Sequence, residues 1–381
     1  MTQHILCFSH LRWNFVYQRP QQILGRLAIS HRVYYFEEPV FDAETVPYHH
    51  IYVDQATGVR VIIPHLNAGI SEEEALEQQR MILDSMLNFQ GIKQYILWYY
   101  SPMAYAFSAH LQPSYVVYDC MDELSAFMNA PPALKLNEYA LIERADIVFT
   151  GGNSLYRAKK QLHPNIYCFP SSIDKAHFHH ARKPSGRPSD QDKIPGPRIG
   201  FFGVIDERLN ISLLDEVAEK KPDWHLILVG PIVKIDPAIL PKRPNIHYLG
   251  PKEYADLPRY LGGWDIAMIP FALNASTKFI SPTKTPEYLA GGKPVISPSI
   301  ADVIVPYGEL GLVRIADTPD QFIAAAEDLL ENGSPASWLS QVDAFLAGIS
   351  WDNTVERMLS LIDQGIQAQP FFSQQNSRSH V

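Results

Sequence analysis

The stretch SPTKTPEYLAGGKPVIS, Ser281 to Ser297, passes from a polar run through a short helical pattern and two glycines into a strand-like KPVIS. Thr285 is a good N-cap, Pro286 suits the first helical position, and Glu287 falls in the first turn. Gly291 and Gly292 end the helix. A helix start leaves backbone N–H groups unpaired, and these favour an anion. Lys284 stands just before that start, where its ammonium can meet a phosphate. Glu287 can accept hydrogen bonds from vicinal hydroxyls such as those of a ribose. Lysine for a diphosphate, carboxylate for a ribose and amides between them make a nucleoside-diphosphate site. On residue types alone a plainer alternative stands equal: a solvated lysine and a glutamate that only caps its helix.

Working outward, the second half alternates strands and helices. RIGFFGV, a helix over 211–220, WHLILVG, NIHYLG, a helix over 253–262, WDIAMIPF, the Glu287 helix, KPVIS and GLVRI follow in order. Further helical patterns cover 319–331 and 335–346. The first half has the same make: ILCFS, RVYYF, VRVIIP, YILWYY, YVVYD, DIVFT and NIYCFP, with helical patterns over 18–28, 71–88, 133–145 and 153–161. Apolar strands alternating with helices imply parallel sheets covered on both faces. The expectation is α/β, with two Rossmann-like domains over 1–180 and 198–348. Between them ARKPSGRPSDQDKIPGPR reads as a linker or exposed excursion over 181–197, because its composition buries little. A helix over 349–367 and a loose Gln/Ser-rich tail over 368–381 complete the chain.

The chain has 381 residues, 46% of them hydrophobic, and a formal charge of -9. That charge argues against general binding to nucleic acid or anionic lipid, while leaving room for a small basic pocket. Cys7, Cys120 and Cys168 lie in apolar stretches without metal-ligand spacing, which suits a reducing compartment. The start opens directly on HILCFSH, and no run reaches the roughly 20 apolar residues that cross a bilayer. A cytoplasmic protein is expected, with attachment to the inner membrane face left open. Composition does not speak to oligomeric state.

SPTKTPEYLAGGKPVIS and the upstream DIAMIPF resemble the nucleotide-sugar end of GT-B glycosyltransferases, especially the retaining family 4 group. The resemblance implies two domains facing across a cleft, a last helix crossing back to the first, and Glu287 as the ribose-binding glutamate. FSHLRWNFVYQRPQQILGRLA, YVVYDCMDELSAF and ERADIVFTGGNSL resemble a bacterial subgroup that makes cell-surface polysaccharides, teichuronic acid enzymes among them. There are departures. Where many retaining relatives carry a sugar-contacting glutamate, this chain has Ile280, so donor-sugar contacts must come from elsewhere, with Asn274, Ala275 and Thr277 as candidates. In GFFGVIDERLN, Gly203 joins the donor-side set and Arg208 is the candidate phosphate contact, or else a surface arginine. The bulky SHLRWNF replaces a glycine-rich turn.

His10, Arg12, Trp13, Asn14 and Phe15 follow the first strand, at the sheet edge where such folds bind ligands. Trp13 and Phe15 can stack on a sugar, and Arg12 or Arg19 can hold an acceptor phosphate. The alternative packs the aromatics onto their own domain. Asp119, Asp122 and Glu123 form an acidic cluster that can orient an acceptor hydroxyl or take its proton, as can His10. Equally, Asp122 can cap a helix and the acids be solvated. Gly151 and Gly152 either admit a ligand closely or make a tight turn ahead of Ser154. No HExxH or similar spacing occurs, so no metal is expected.

The expectation is therefore a glycosyltransferase using a UDP- or GDP-sugar and a glycan or lipid-linked acceptor, with no further cofactor and no nucleic-acid partner. Lys284 and Arg208 would neutralise the leaving diphosphate. A nucleotide-sugar epimerase built on Asp119 and Asp122, or a non-catalytic nucleotide- or partner-binding protein, are the alternatives.

Overall fold

The computed structural model describes residues 3–184, 186 and 188–368. The first sheet runs β1 (His4–Phe8), β2 (Arg32–Phe36), β3 (Val40–Ala43), β4 (Tyr48–Val53), β5 (Arg60–Asn67), β6 (Tyr95–Tyr99), β7 (Tyr115–Cys120), β8 (Ile147–Thr150) and β9 (Ile166–Cys168). Its spatial order is β3-β5-β2-β1-β6-β7-β8-β9, with β4 added on β5. All pairs are parallel except β4 with β5. The second sheet, wholly parallel, is ordered β12-β11-β10-β13-β14-β15. Its strands are β10 (Arg198–Phe202), β11 (His225–Val229), β12 (Ile246–Tyr248), β13 (Ile266–Met268), β14 (Val295–Ser297) and β15 (Arg314–Ile315). Central strands such as YILWY and YVVYDC are buried along their whole length because helices cover both faces.

Two apolar clusters flank the first sheet and a third fills the second domain. The helix Trp351–Ala368 lays Trp351, Val355, Met358 and Ile362 into a cluster of the first domain with Ile5, Cys7 and Ile23. It therefore crosses back, as expected. The tail beyond Ala368 lies outside the described residues.

The expected excursion over 181–197 is corrected. Ala181 and Ile194 join the second domain's core, as do Ile173 and Phe178, which precede the expected boundary. The Gln191 carboxamide is fully buried, donating to the Tyr260 carbonyl at 3.0 Å and accepting from Trp264 Nε1 at 2.8 Å. Proline and glycine did break the periodicity here. The few buried side chains are spaced irregularly, so no periodic pattern announces them.

Candidate functional site

The C-terminal edges of the two sheets face each other across a cavity of about 820 Å³. Phe15, Tyr17 and Asp122 of the first domain and Gly203, Arg208, Tyr254, Lys284 and Glu287 of the second are on its walls.

The helix Lys284–Ala290 starts earlier than the sequence suggests. Its N-cap is Thr283, so Lys284 is the first helical residue. Thr285 is fully buried, and its hydroxyl and the Pro286 ring face the domain interior. The Thr285 N–H donates to the Pro282 carbonyl at 3.2 Å and the Glu287 N–H to the Thr283 carbonyl at 3.3 Å. These amides are consequently spoken for, and the expected helix-start contribution to anion binding falls away. The side chains of Lys284 and Glu287 carry the site. Tyr288 braces their helix: its hydroxyl accepts the Phe202 N–H at 2.9 Å, at the end of β10.

One residue further on, Gly203 has φ +147°, and a Cβ there would lie 2.8 Å from Lys284 Nζ and closer to its Cε. The missing side chain is the channel through which the lysine stem reaches the cavity. Gly230, at φ +150°, backs Gly203 in turn: a Cβ on it would lie 2.8 Å from the Gly203 carbonyl carbon. Enclosure presses the Lys284 amine below its ordinary range, against the pull of Glu287 and with the push of Arg208. The same enclosure pushes the Glu287 carboxyl up to about 8, with Lys284 opposing. Among the described residues neither side chain has a hydrogen-bond or ion-pair partner, so both remain available to a ligand.

Arg208 is a cavity residue rather than a surface one. Its Nε and Nη2 grip Asp206 at 2.7–3.2 Å, and among the described residues Nη1 has no hydrogen-bond partner. The guanidinium carbon lies 5.4 Å from the Phe271 ring centre and 5.8 Å from that of Phe127. Asp122 reaches the same space from the first domain. Burial raises its carboxyl to about 6, against Arg208, Arg19 and Lys284.

Several expectations are corrected. Asp119 is fully buried and gripped by Arg19 Nε and Nη2 at 2.8–3.1 Å, while Arg19 Nη1 donates to the Phe169 carbonyl at 2.8 Å. Asp119 is therefore no base, Arg19 is no free phosphate ligand, and an epimerase's Asp119–Asp122 pair does not form. Arg12 turns away to Glu37 at 3.0 Å. Trp13, though it reaches the cavity lining, is 5% exposed and packs on Tyr35 with ring centres 4.9 Å apart. Asn14 donates to the Tyr52 hydroxyl at 2.7 Å. Both Asn14 and Phe15 are exposed at the cavity, and Phe15, 46% exposed, is the aromatic of that loop that stands open. His10 lies outside the cavity lining, its imidazole pushed down to about 4 by burial with Lys234 nearby. Glu123 pairs with Lys159 at 2.8 Å. Asn274 and Thr277 spend their polar atoms on each other's turn, and that turn, including Ala275, packs against Leu124–Ala126 of the first domain.

Gly151 and Gly152 admit protein rather than ligand. A Cβ on Gly151 would lie 2.8 Å from Met121 Cα, and one on Gly152 2.8 Å from Ser281 Cβ. There the Ser154 N–H donates to Asp302 Oδ1 of the second domain at 2.8 Å.

Sequence reasoning missed Tyr254, whose ring lies between Tyr17 and His177 at centre distances of 4.5 and 4.3 Å. Its hydroxyl accepts from Gln22 of the first domain at 3.0 Å. It also missed Asp206 and Gly230. The repeated ending of FFG and LVG, a glycine directly after a buried strand, was the available signal for Gly230.

Among the described residues, no group of three or more His, Cys, Asp or Glu could hold a metal ion, and no helix is long and apolar enough to cross a membrane.

Residues 196–332 match the family model of glycosyl transferases group 1. A Bacillus subtilis protein assigned as the teichuronic acid biosynthesis glycosyltransferase TuaH is 28% identical over 257 residues, which span 62% of this chain and 64% of that relative's length. Solved structures of similar fold include sucrose-phosphate synthase from Thermosynechococcus elongatus (TM-score 0.70, 17% identity, 96% of this chain and all of that one). The catalytic domain of starch synthase IV from Arabidopsis thaliana, bound to ADP and acarbose, gives 0.65 at 11% identity, covering 96% and 100% of the two chains. Anabaena HepE, in complex with UDP and glucose, gives 0.63 at 15% identity over 94% and 99%. The chain is a GT-B fold protein related, through residues 196–332, to the group 1 glycosyl transferases.

Proposed function

We propose that this protein is a glycosyltransferase that moves a sugar from a nucleoside diphosphate sugar to a glycan or lipid-linked acceptor in cell-surface polysaccharide synthesis. The observation that carries the reading is the convergence of the unpartnered Lys284 amine, the Glu287 carboxyl and the free Nη1 of Arg208 on one cavity wall. As the glycosidic bond breaks, negative charge grows on the diphosphate. Cations already fixed there stabilise it without reorganisation. Glu287 takes the ribose hydroxyls and sets the donor's register. Because its carboxyl is pushed up to about 8, it can donate as well as accept.

Asp122 faces the donor cations from the acceptor side and orients the incoming hydroxyl. The departing phosphate takes the hydroxyl's proton, with retention at the anomeric carbon, and no protein nucleophile is required. Ile280, buried on the cavity wall, offers the donor sugar an apolar contact where a carboxylate would offer a hydrogen bond. The expected donor is a UDP- or GDP-sugar. The expected location is the cytoplasm, at the inner membrane face when the acceptor is lipid-linked.

A ligand-stabilisation screen tests this. UDP, GDP, dTDP, ADP and CDP are compared on wild type, Lys284→Ala and Glu287→Ala. Selective stabilisation by one diphosphate, weakened in both variants, is expected. No shift with any of the five would refute the donor site.

A further inference from the structure

The loop from Met121 to Phe127 carries two side chains of the first domain to the second. One is Asp122, on the cavity wall. The other is Phe127, half-buried, which among the described residues belongs to none of the three apolar clusters. Packing into a core therefore does not explain an aromatic there. Its notable neighbours are cations: Arg208 Cζ lies 5.8 Å from its ring centre and Lys234 Nζ 5.4 Å. Both belong to the second domain.

The loop is held firmly at its base. The buried Lys159 amine bonds Glu123 at 2.8 Å and Glu138 at 2.8 Å, and Ser125 donates to Glu123 at 2.6 Å. At its far side Leu124–Ala126 rests on Ala275–Thr277 of the second domain. Phe127 is thus delivered to Arg208 by a segment anchored in both domains. On the arginine, Asp206 fixes one edge of the guanidinium plane, Phe271 supplies an aromatic neighbour from its own domain, and Phe127 supplies one from across the cleft.

We propose that Phe127 is a positioning residue for diphosphate binding: its ring fixes the Arg208 guanidinium from across the cleft, so that the free Nη1 is aimed only when the domains are together. The proposal rests on the cavity being a nucleoside-diphosphate site. A cation over an aromatic face is held by the ring's quadrupole, and an aliphatic side chain of similar bulk has none. Aromatic character, rather than volume, is therefore the property at stake.

The test is a double-mutant cycle on the full chain, with UDP and GDP each titrated by calorimetry. Phe127→Leu is expected to weaken binding about three- to tenfold, and Phe127→Tyr to stay within about twofold of wild type. In an Arg208→Met background Phe127→Leu should change affinity no further, which a general loosening of the fold would not reproduce. Leucine and tyrosine variants that bind alike, or a leucine effect undiminished without Arg208, would overturn the proposal. Wild type binding neither nucleotide, with Lys284→Ala equally silent, would instead overturn the donor-site reading and this proposal with it.

Discussion

Replacing Gly203 by alanine separates the placement of Lys284 from the stability of the domain. The new methyl meets two main obstacles, besides the Phe201 ring, whose Cζ would lie 3.0 Å away and must give slightly. The first is the backbone: at φ +147° an L side chain is strained, by about 1–3 kcal/mol. The second is Lys284, whose Cε and Nζ occupy the space the Cβ needs. That atom pair is the far end of a flexible side chain, so the lysine swings aside and adds little to the unfolding cost. Its departure is felt by the ligand. A charge-assisted hydrogen bond contributes about 1.5–3 kcal/mol. At 1.4 kcal/mol per decade, its loss weakens nucleoside-diphosphate binding about 10- to 150-fold. Urea denaturation with calorimetry reads both quantities. In a Lys284→Ala background, Gly203→Ala should cost the same backbone strain and no further affinity. Gly230→Ala is the contrast, because its methyl meets the Gly203 backbone, which cannot swing away, and its stability loss should be the larger. Undiminished diphosphate affinity in Gly203→Ala would refute the idea that this glycine seats the lysine.

Two other perturbations are informative. Asp119→Ala leaves the Arg19 guanidinium buried without its carboxylate and should cost about 3–5 kcal/mol in urea, whereas Arg19→Met with Asp119→Leu should recover much of it; a cost below about 1 kcal/mol for the single change would contradict the pairing. For Asp122, the folded carboxyl is raised to about 6 from 3.8, so the native state holds the proton more tightly than the unfolded chain. Stability from this group is complete below about 3.8 and lost as pH rises through about 6. Asp122→Asn should therefore match wild type near pH 4 and exceed it by about 2 kcal/mol near pH 7.5, measured as urea midpoints; a difference that shrinks with rising pH would contradict the burial.

Local chemistry carried the sequence reading wherever the signal was local. Fully apolar runs such as YILWY marked buried parallel strands, and the spacing from Lys284 to Glu287 placed both side chains on one cavity wall. The reading failed where a partner lies far along the chain. Arg19 and Asp119 each look like site residues, and only the fold reveals that they satisfy each other across 100 positions. Asn274 and Thr277 look like sugar ligands because a capping turn and a hydroxyl-binding loop use the same residue types. Phe127 carries no signal in the sequence, since a cation meets its ring only after two domains have folded and come together.

Among the described residues the chain passes between the two domains twice. Outbound it leaves β9 and enters the second core at Ile173; inbound it leaves that core near Ile349 and re-enters the first at Trp351. A body tethered at one point can swivel in any direction, but one tethered at two turns freely only about the line joining them. The second crossing thus reduces the motions open to the cleft toward a single rotation, like a door on two pins. In this arrangement Tyr254 stacked on Tyr17 and Asp302 bonded to Ser154 join the two domains away from those tethers.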